Sequence, residues 1–275
     1  MVQFWLNIFP VPDTVLKQII CICRNFLWTG SVSRNKSTLV AWHMVCLPKT
    51  EGGLGLFDIR ARNNSFLAKQ LWNIHLKADS IWIQWVHHFY LHTQSIWDST
   101  AHPCSSPLWK SILNFRDKLV DKGGSRSQAL SLLESWSNSV GPFTAHAYDF
   151  LRFRSTPVLW KRVVWESWSM PRYSFTLWLA VLGRLRTRDR LRFLQTDPIC
   201  VFCQVDEESH NHLFFSCHWT SLFWQLIRSW LRITRRMSTI RSAIRGLCRG
   251  GNNVDGRMRR VSLGILVYII WEERN

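Results

Sequence analysis

Acidic residues are scarce in this chain. Its 275 residues carry 18 Asp and Glu against 35 Lys and Arg, and nowhere do two aspartates stand side by side. Two-metal polymerases and nucleases hold their magnesium ions with clustered carboxylates. After residue 209 only Asp255, Glu272 and Glu273 remain, and the run Asp206-Glu207-Glu208 reads as solvated loop charge. The chain is therefore expected not to be an enzyme.

Other features are missing as well. The longest apolar run near the C-terminus, Val261 to Trp271, is about half of what spans a bilayer. Residues 1–11 lack the basic n-region of a secretory signal. These absences lead us to expect a soluble intracellular protein with no membrane partner and with reduced thiols. The glycines at 52–55 have neither the GxGxxG spacing nor a following Gly-Lys-Ser/Thr. A turn between a strand and the next helix is the better reading, and no small-molecule substrate is implied.

What is abundant is tryptophan and arginine. Hydrophobic residues make up 47% of the chain and 17 residues are Trp, so it has ample material for a packed core. Rings at helical spacing usually face inward, and Trp28, Trp42, Trp72, Trp82, Trp85, Trp160, Trp165, Trp168, Trp178, Trp224 and Trp230 are expected to be mostly core. Net charge is +17 and lopsided. Residues 1–150 hold 14 cations against 9 acids, whereas residues 151–275 hold 21 against 9, and all of those 21 but Lys161 are arginine. Arginine's planar fork suits phosphate, so RNA or DNA, bound without sequence preference, is the expected partner. Arg184, Arg186, Arg188 and Arg190 form the densest series. They read either as phosphate contacts from a turn and a helix N-terminus or as a solvated, acid-paired face.

The strongest chemical motif is Cys200-x2-Cys203-x8-His212-x4-Cys217. Structural zinc takes four such donors, two from a CxxC turn. A disulfide framework would need a secreted context, and the flanks of Cys200 do not suggest a redox turn. His212 and Cys217, five residues apart, lie about 140° apart on a straight α-helix. The chain should therefore break near Ser216, with His212 on a short helix opened by Ser209 and Cys217 where the next helix begins. His210 is the alternative fourth ligand. Cys21, Cys23, Cys46, Cys104 and Cys248 are expected to be ordinary reduced side chains.

Around this cluster, Phe175-Thr-Leu-Trp-Leu-Ala, Arg184-Leu-Arg-Thr-Arg-Asp-Arg-Leu191, Glu208-Ser209, His212-Leu-Phe-Phe-Ser-Cys217 and Phe223-Trp224 resemble the zinc-binding domain that follows the reverse transcriptase of plant LINE-type (non-LTR) retrotransposons. The likeness covers about residues 143–230. Upstream, Phe26-Leu-Trp28-x-Gly30, Leu47-Pro-Lys49 and Glu51-Gly-Gly-Leu-Gly-Leu56 are similar to the connection just after the polymerase in such elements. Ile270-Trp-Glu-Glu-Arg-Asn275 is similar to the segment that often precedes an RNase H domain. The resemblance implies one structural zinc, a role in holding RNA or DNA, and a fragment without its polymerase. A structural or protein–protein module, or a retroelement remnant without a role, is the alternative.

The expected fold is mainly α, a helical domain with a small CCHC module and little β structure. The expected segments are a post-polymerase connection over 1–92, a linker and helical region over 93–142, the zinc-binding domain over 143–232 and a basic helical tail over 233–275. Helices are expected at 14–27 with Asp13 as cap, at 60–75, 80–92 and 107–119, at 144–150 with Thr144 as cap, at 156–167, from Pro171, at 188–194 with Thr187 as cap, and at 256–273. Val40 to Trp42 reads as a strand, and 121–127 as a flexible loop.

Overall fold

The computed structural model describes residues 10–32, 37–191 and 197–275. In chain order these form α1 (Asp13–Thr29), α2 (Trp42–Val45), α3 (Ile59–His75), α4 (Ile81–Val86), α5 (Pro107–Gly123), α6 (Arg126–Asn138), α7 (Phe143–Leu151), α8 (Lys161–Val164), α9 (Pro171–Val181), α10 (His218–Trp230), α11 (Ile240–Cys248) and α12 (Val254–Arg274). Among the described residues the β structure is one antiparallel bridge, Ile199 to Glu207. The fold is mainly α, as expected.

Local chemistry explains most boundaries. Asp58 accepts from the amides of Arg60 and Ala61 and opens α3. Ser106 and Ser125 cap α5 and α6 in the same way, each satisfying a backbone donor that the helix leaves orphaned. Gly30 closes α1 in the left-handed conformation, φ 68°, with its amide on the Phe26 carbonyl.

Several local expectations fail. Pro12, not Asp13, precedes α1, and Asp13 lies in the first turn. Pro142 rather than Thr144 stands at the cap of α7. The strand expected at Val40 to Trp42 is instead a bend leading into the short helix α2 at Trp42, because β-branched and aromatic residues only favour strands where a sheet exists to receive them. The loop expected at 121–127 is mostly helix, with Gly124 at φ 83° and the cap Ser125 as the break between α5 and α6. The helix expected over 156–167 shrinks to Lys161–Val164. The helix expected over 188–194 is a 3-10 turn, Arg188–Arg190, and residues 192–194 lie outside the described residues. The Thr187 hydroxyl donates to the Asp189 carboxylate instead of capping a backbone amide.

The described residues form two compact units, one drawn from 10–32 and 56–154, the other from 37–55, 155–191 and 197–275. These cut across the four consecutive segments read from the sequence. In the first unit α3 packs on α5 and α7, and α6 on both of those. Leu71, Ile74, Ile112, Leu133 and Ala147 lose all solvent contact there.

The second unit is built around α12, with α8, α9, α10 and α11 against it. Gly264 faces α9 with room for ordinary van der Waals contact. A Cβ there would sit 3.7 Å from the Cβ of Tyr173 and 3.8 Å from Leu177. The glycine-rich segment belongs to this unit. Gly52 takes φ 97° after a 3-10 turn, and a Cβ on Gly53 would stand 2.0 Å from the Leu47 carbonyl oxygen. This is a turn, though no strand precedes it. Its purpose is specific, because the Gly52 carbonyl accepts the indole N–H of fully buried Trp178 at 2.8 Å. Trp224 is also buried, whereas Trp85, Trp168 and Trp230 are exposed, against the expectation of core rings. Among the described residues no helix is long and apolar enough to cross a membrane.

Candidate metal centre

Cys200, Cys203, His212 and Cys217 converge, each offering one donor atom, with all four donors within 4.8 Å of one another. The Cys200 and Cys217 sulfurs are 4.0 Å apart, and the Cys203 sulfur lies 3.3 Å from His212 Nε2. Zinc–sulfur bonds of about 2.3 Å give a tetrahedral edge of about 3.8 Å. The spacing therefore suits one tetrahedral ion.

Two short elements create it. The first is a hairpin, in which the Cys200 amide donates to the Asp206 carbonyl and the Gln204 amide to the Cys200 carbonyl. Gln204 turns the chain at φ 55°. This curls the CxxC loop so that both sulfurs point inward. The second is a π-helical turn, His212–Ser216. Ser209 opens it by accepting the His212 amide, and the Cys217 amide closes it on the His212 carbonyl. A hydrogen bond from residue i+5 to residue i widens the turn by one residue. It overlays two residues that an α-helix would set about 140° apart. Cys217 then precedes α10, as expected. The break expected near Ser216 is this widened turn.

The two cysteines of the CxxC turn titrate far apart. Burial pushes the Cys200 thiol up to about 11, while the Asp206 amide first, then that of Val205 and the His212 ring, brings Cys203 down to about 6. A bound metal removes the proton of a coordinating thiol outright, so an ion here would hold Cys200 as thiolate in spite of its burial. His212 directs Nε2 into the group and turns Nδ1 toward the Asp206 carboxylate, 3.8 Å away, the outer-shell arrangement that orients ligating histidines. His210 lies apart from the group. It packs edge-on against Phe214, and burial lowers its pKa. The donor set is one for structural zinc, and the group is positioned to bind one ion. None of the other five cysteines forms a disulfide.

Sequence reading missed the second layer. Glu208 is not solvated loop charge. It is fully buried, and its carboxylate accepts the Arg188 amide at 2.9 Å and the Arg274 guanidinium at 2.7 and 3.0 Å. Its presence beside Ser209, three residues before His212, was the available signal. Arg274 ties the end of α12 to the metal loop.

The four arginines expected to contact phosphate are partly engaged within the chain. Arg188 donates to the Ile199 carbonyl at 2.6 Å, Arg186 to Ser37 and Arg190 to the Gly183 carbonyl. Arg184 and Arg190 are exposed. All these acceptors are neutral, so the positive charge persists.

Fold and site together define a small helical zinc-binding module closed by three cysteines and one histidine. Residues 143–224 match the family model described as zinc-binding in reverse transcriptase, so this segment is a zinc-binding domain of the reverse-transcriptase type. Over 72 residues the chain is 33% identical to an Arabidopsis thaliana protein named as a ribonuclease H protein, covering 26% of this chain and 12% of that one. Over 115 residues it is 25% identical to an uncharacterized mitochondrial protein of Arabidopsis thaliana, covering 42% of this chain and 75% of the relative. No solved structure matches.

Proposed function

We propose that the chain is a non-catalytic zinc-binding module of retroelement origin that holds RNA or DNA through phosphate contacts without reading its sequence. The observation that carries this reading is the charge of the second unit. Residues 209–254 contain seven arginines and no acid. Arg232, Arg235, Arg236, Arg241, Arg245 and Arg249 are all exposed. Arg241, Arg245 and Arg249 stand four residues apart along α11, which puts them on one face. Counterion release from neutralised phosphates is the main source of such affinity.

A non-catalytic role is supported by the donor groups. Among the described residues, the Cys/His group is the one place where three or more metal-ligating side chains meet. Four protein ligands would leave its ion no open position for chemistry.

The test is anisotropy of a labelled single strand with the zinc-loaded full chain over a range of salt. Affinity should fall by about 0.7 log unit per log unit of salt for each phosphate engaged. Absence of salt-dependent binding would remove the reading. Primer extension and RNA–DNA hybrid cleavage, assayed with magnesium or manganese, should both be absent.

One observation favours a protein-interaction module instead. Trp219, Leu222, Phe223, Leu226 and Trp230 are exposed along α10, at spacings that form one apolar stripe. Association with a protein partner that resists salt, with no strand binding, would favour it.

A further inference from the structure

Between the end of α10 and the start of α12 lies a cavity of about 140 Å³, lined by Arg232, Arg235 and Arg259 together with Gly246, Gly250 and Gly256. A water occupies roughly 30 Å³ of liquid, so the space admits a tetrahedral oxyanion. Three cations share it. Among the described residues none of the three is ion-paired: Arg259 places Nε on the Leu231 carbonyl and Nη2 on the Arg232 carbonyl, two contacts that leave its charge uncompensated and further N–H donors to offer. Three like charges carried by residues lining one small cavity disfavour one another, and an anion bound there offsets that. Their planar forks match phosphate oxygens.

The backbone carries a second mark. Arg232 follows α10 in the left-handed conformation, φ 52°, while the Ile233 amide returns to the Arg228 carbonyl at 2.8 Å. That closure normally places glycine at the left-handed position, and a residue with a Cβ there is strained. Strain of this kind gathers at ligand sites. Here the strained residue is one that lines the cavity.

We propose that Arg232, Arg235 and Arg259 form a pocket for one phosphate group, supplied by a nucleic-acid strand. The strand as source rests on the function proposed above. The pocket itself does not.

The experiment uses the zinc-loaded full chain with Arg232→Gly and Arg235→Gln. Arg232→Gly removes a cation but keeps the carbonyl that Arg259 uses and relieves the backbone, so melting temperature should stay equal or rise. Two probes are compared: a labelled 20-nucleotide single strand, and inorganic phosphate read by thermal shift. Each substitution should weaken the strand about tenfold, as loss of a charge-assisted contact does, and reduce the salt slope by about 0.7. If strand affinity is unchanged but protection by inorganic phosphate is lost in both variants, the pocket stands and its ligand is free phosphate. If the wild type binds no strand yet is protected by phosphate in an arginine-dependent way, the nucleic-acid reading fails and the pocket survives. If neither probe distinguishes the variants from the wild type, the pocket is overturned.

Discussion

Glu208 and Arg274 stand 66 residues apart in sequence and form a buried ion pair, with Nη2 to Oε1 at 2.7 Å and Nε to the same oxygen at 3.0 Å. The Glu208 side chain has no exposure and that of Arg274 little. Glu208 also receives the Arg188 amide, so one carboxylate fastens the arginine turn, the metal loop and the last turn of α12.

Removing one partner of a buried pair leaves the other charge uncompensated and costs about 3–5 kcal/mol. Glu208→Gln and Arg274→Gln are each expected to destabilise the protein by about 3 kcal/mol in urea unfolding. The double variant should lose less than the sum of the two. Strict additivity would show that the two side chains do not act on each other.

Zinc content should report the four ligands. The wild type is expected to hold one zinc per chain by elemental analysis, and Cys203→Ser to hold less, with residues 197–217 loosened in hydrogen exchange because such sites seldom preform without metal. His212→Ala should behave like Cys203→Ser, and His210→Ala should keep its zinc. Full occupancy in Cys203→Ser would refute the ligand set.

The second buried pair should appear in the pH dependence of stability. Glu166 accepts Arg260 Nε at 2.6 Å. Burial alone would raise its pKa, but the hydrogen bond and charge of Arg260 outweigh burial and lower it from 4.5. A folded pKa below the unfolded one means that this stabilisation is complete above about 4.5 and is lost as pH falls through the folded value. Glu166→Gln should therefore be destabilised at neutral pH and show a shallower decline under acid than the wild type. Parallel acid profiles would contradict the assignment.

Trp178 and Gly53 test the glycine turn. Trp178→Phe leaves the Gly52 carbonyl without its buried donor, and an unsatisfied buried group costs about 1–3 kcal/mol. Gly53→Ala drives a Cβ to 2.0 Å from the Leu47 oxygen and should be worse tolerated than Gly55→Ala, where nothing lies within 4 Å although the left-handed φ still opposes a side chain. Thermal melts that rank Gly55→Ala below Gly53→Ala would reverse this argument.

The metal ligands were legible in the sequence because their chemistry is local. CxxC needs only a tight turn, and Ser209 opening the next element is a property of a short stretch. The helical class was legible for the same reason, from apolar residues at helical spacing. What was hidden depends on distant partners. Glu208 looks like a loop acid until Arg274 is placed beside it, and Gly52 looks like a simple turn until Trp178 supplies a donor. The widened turn at His212 was legible as a contradiction, since two ligands five residues apart could not share a face of an α-helix. Its resolution by an extra residue in the turn was not. The cluster at Arg232, Arg235 and Arg259 escaped notice because attention to local density favours the 184–190 series. Convergence in space needs no such density.

Gly52 and Trp178 meet although they stand 126 positions apart in sequence, and that distance shapes how the protein is made. The 37–55 segment emerges from the ribosome long before the indole that will dock on it, and it must wait with Val45 and Leu47, both destined for complete burial, still in water. Closing a loop of that size costs entropy before any contact repays it, and folds rich in such contacts form slowly. Synthesis therefore passes through a stage in which the first unit's 56–154 helices can already pack while the second unit has an apolar strand of chain without a home. Folding helpers and proteases would meet the protein at that stage.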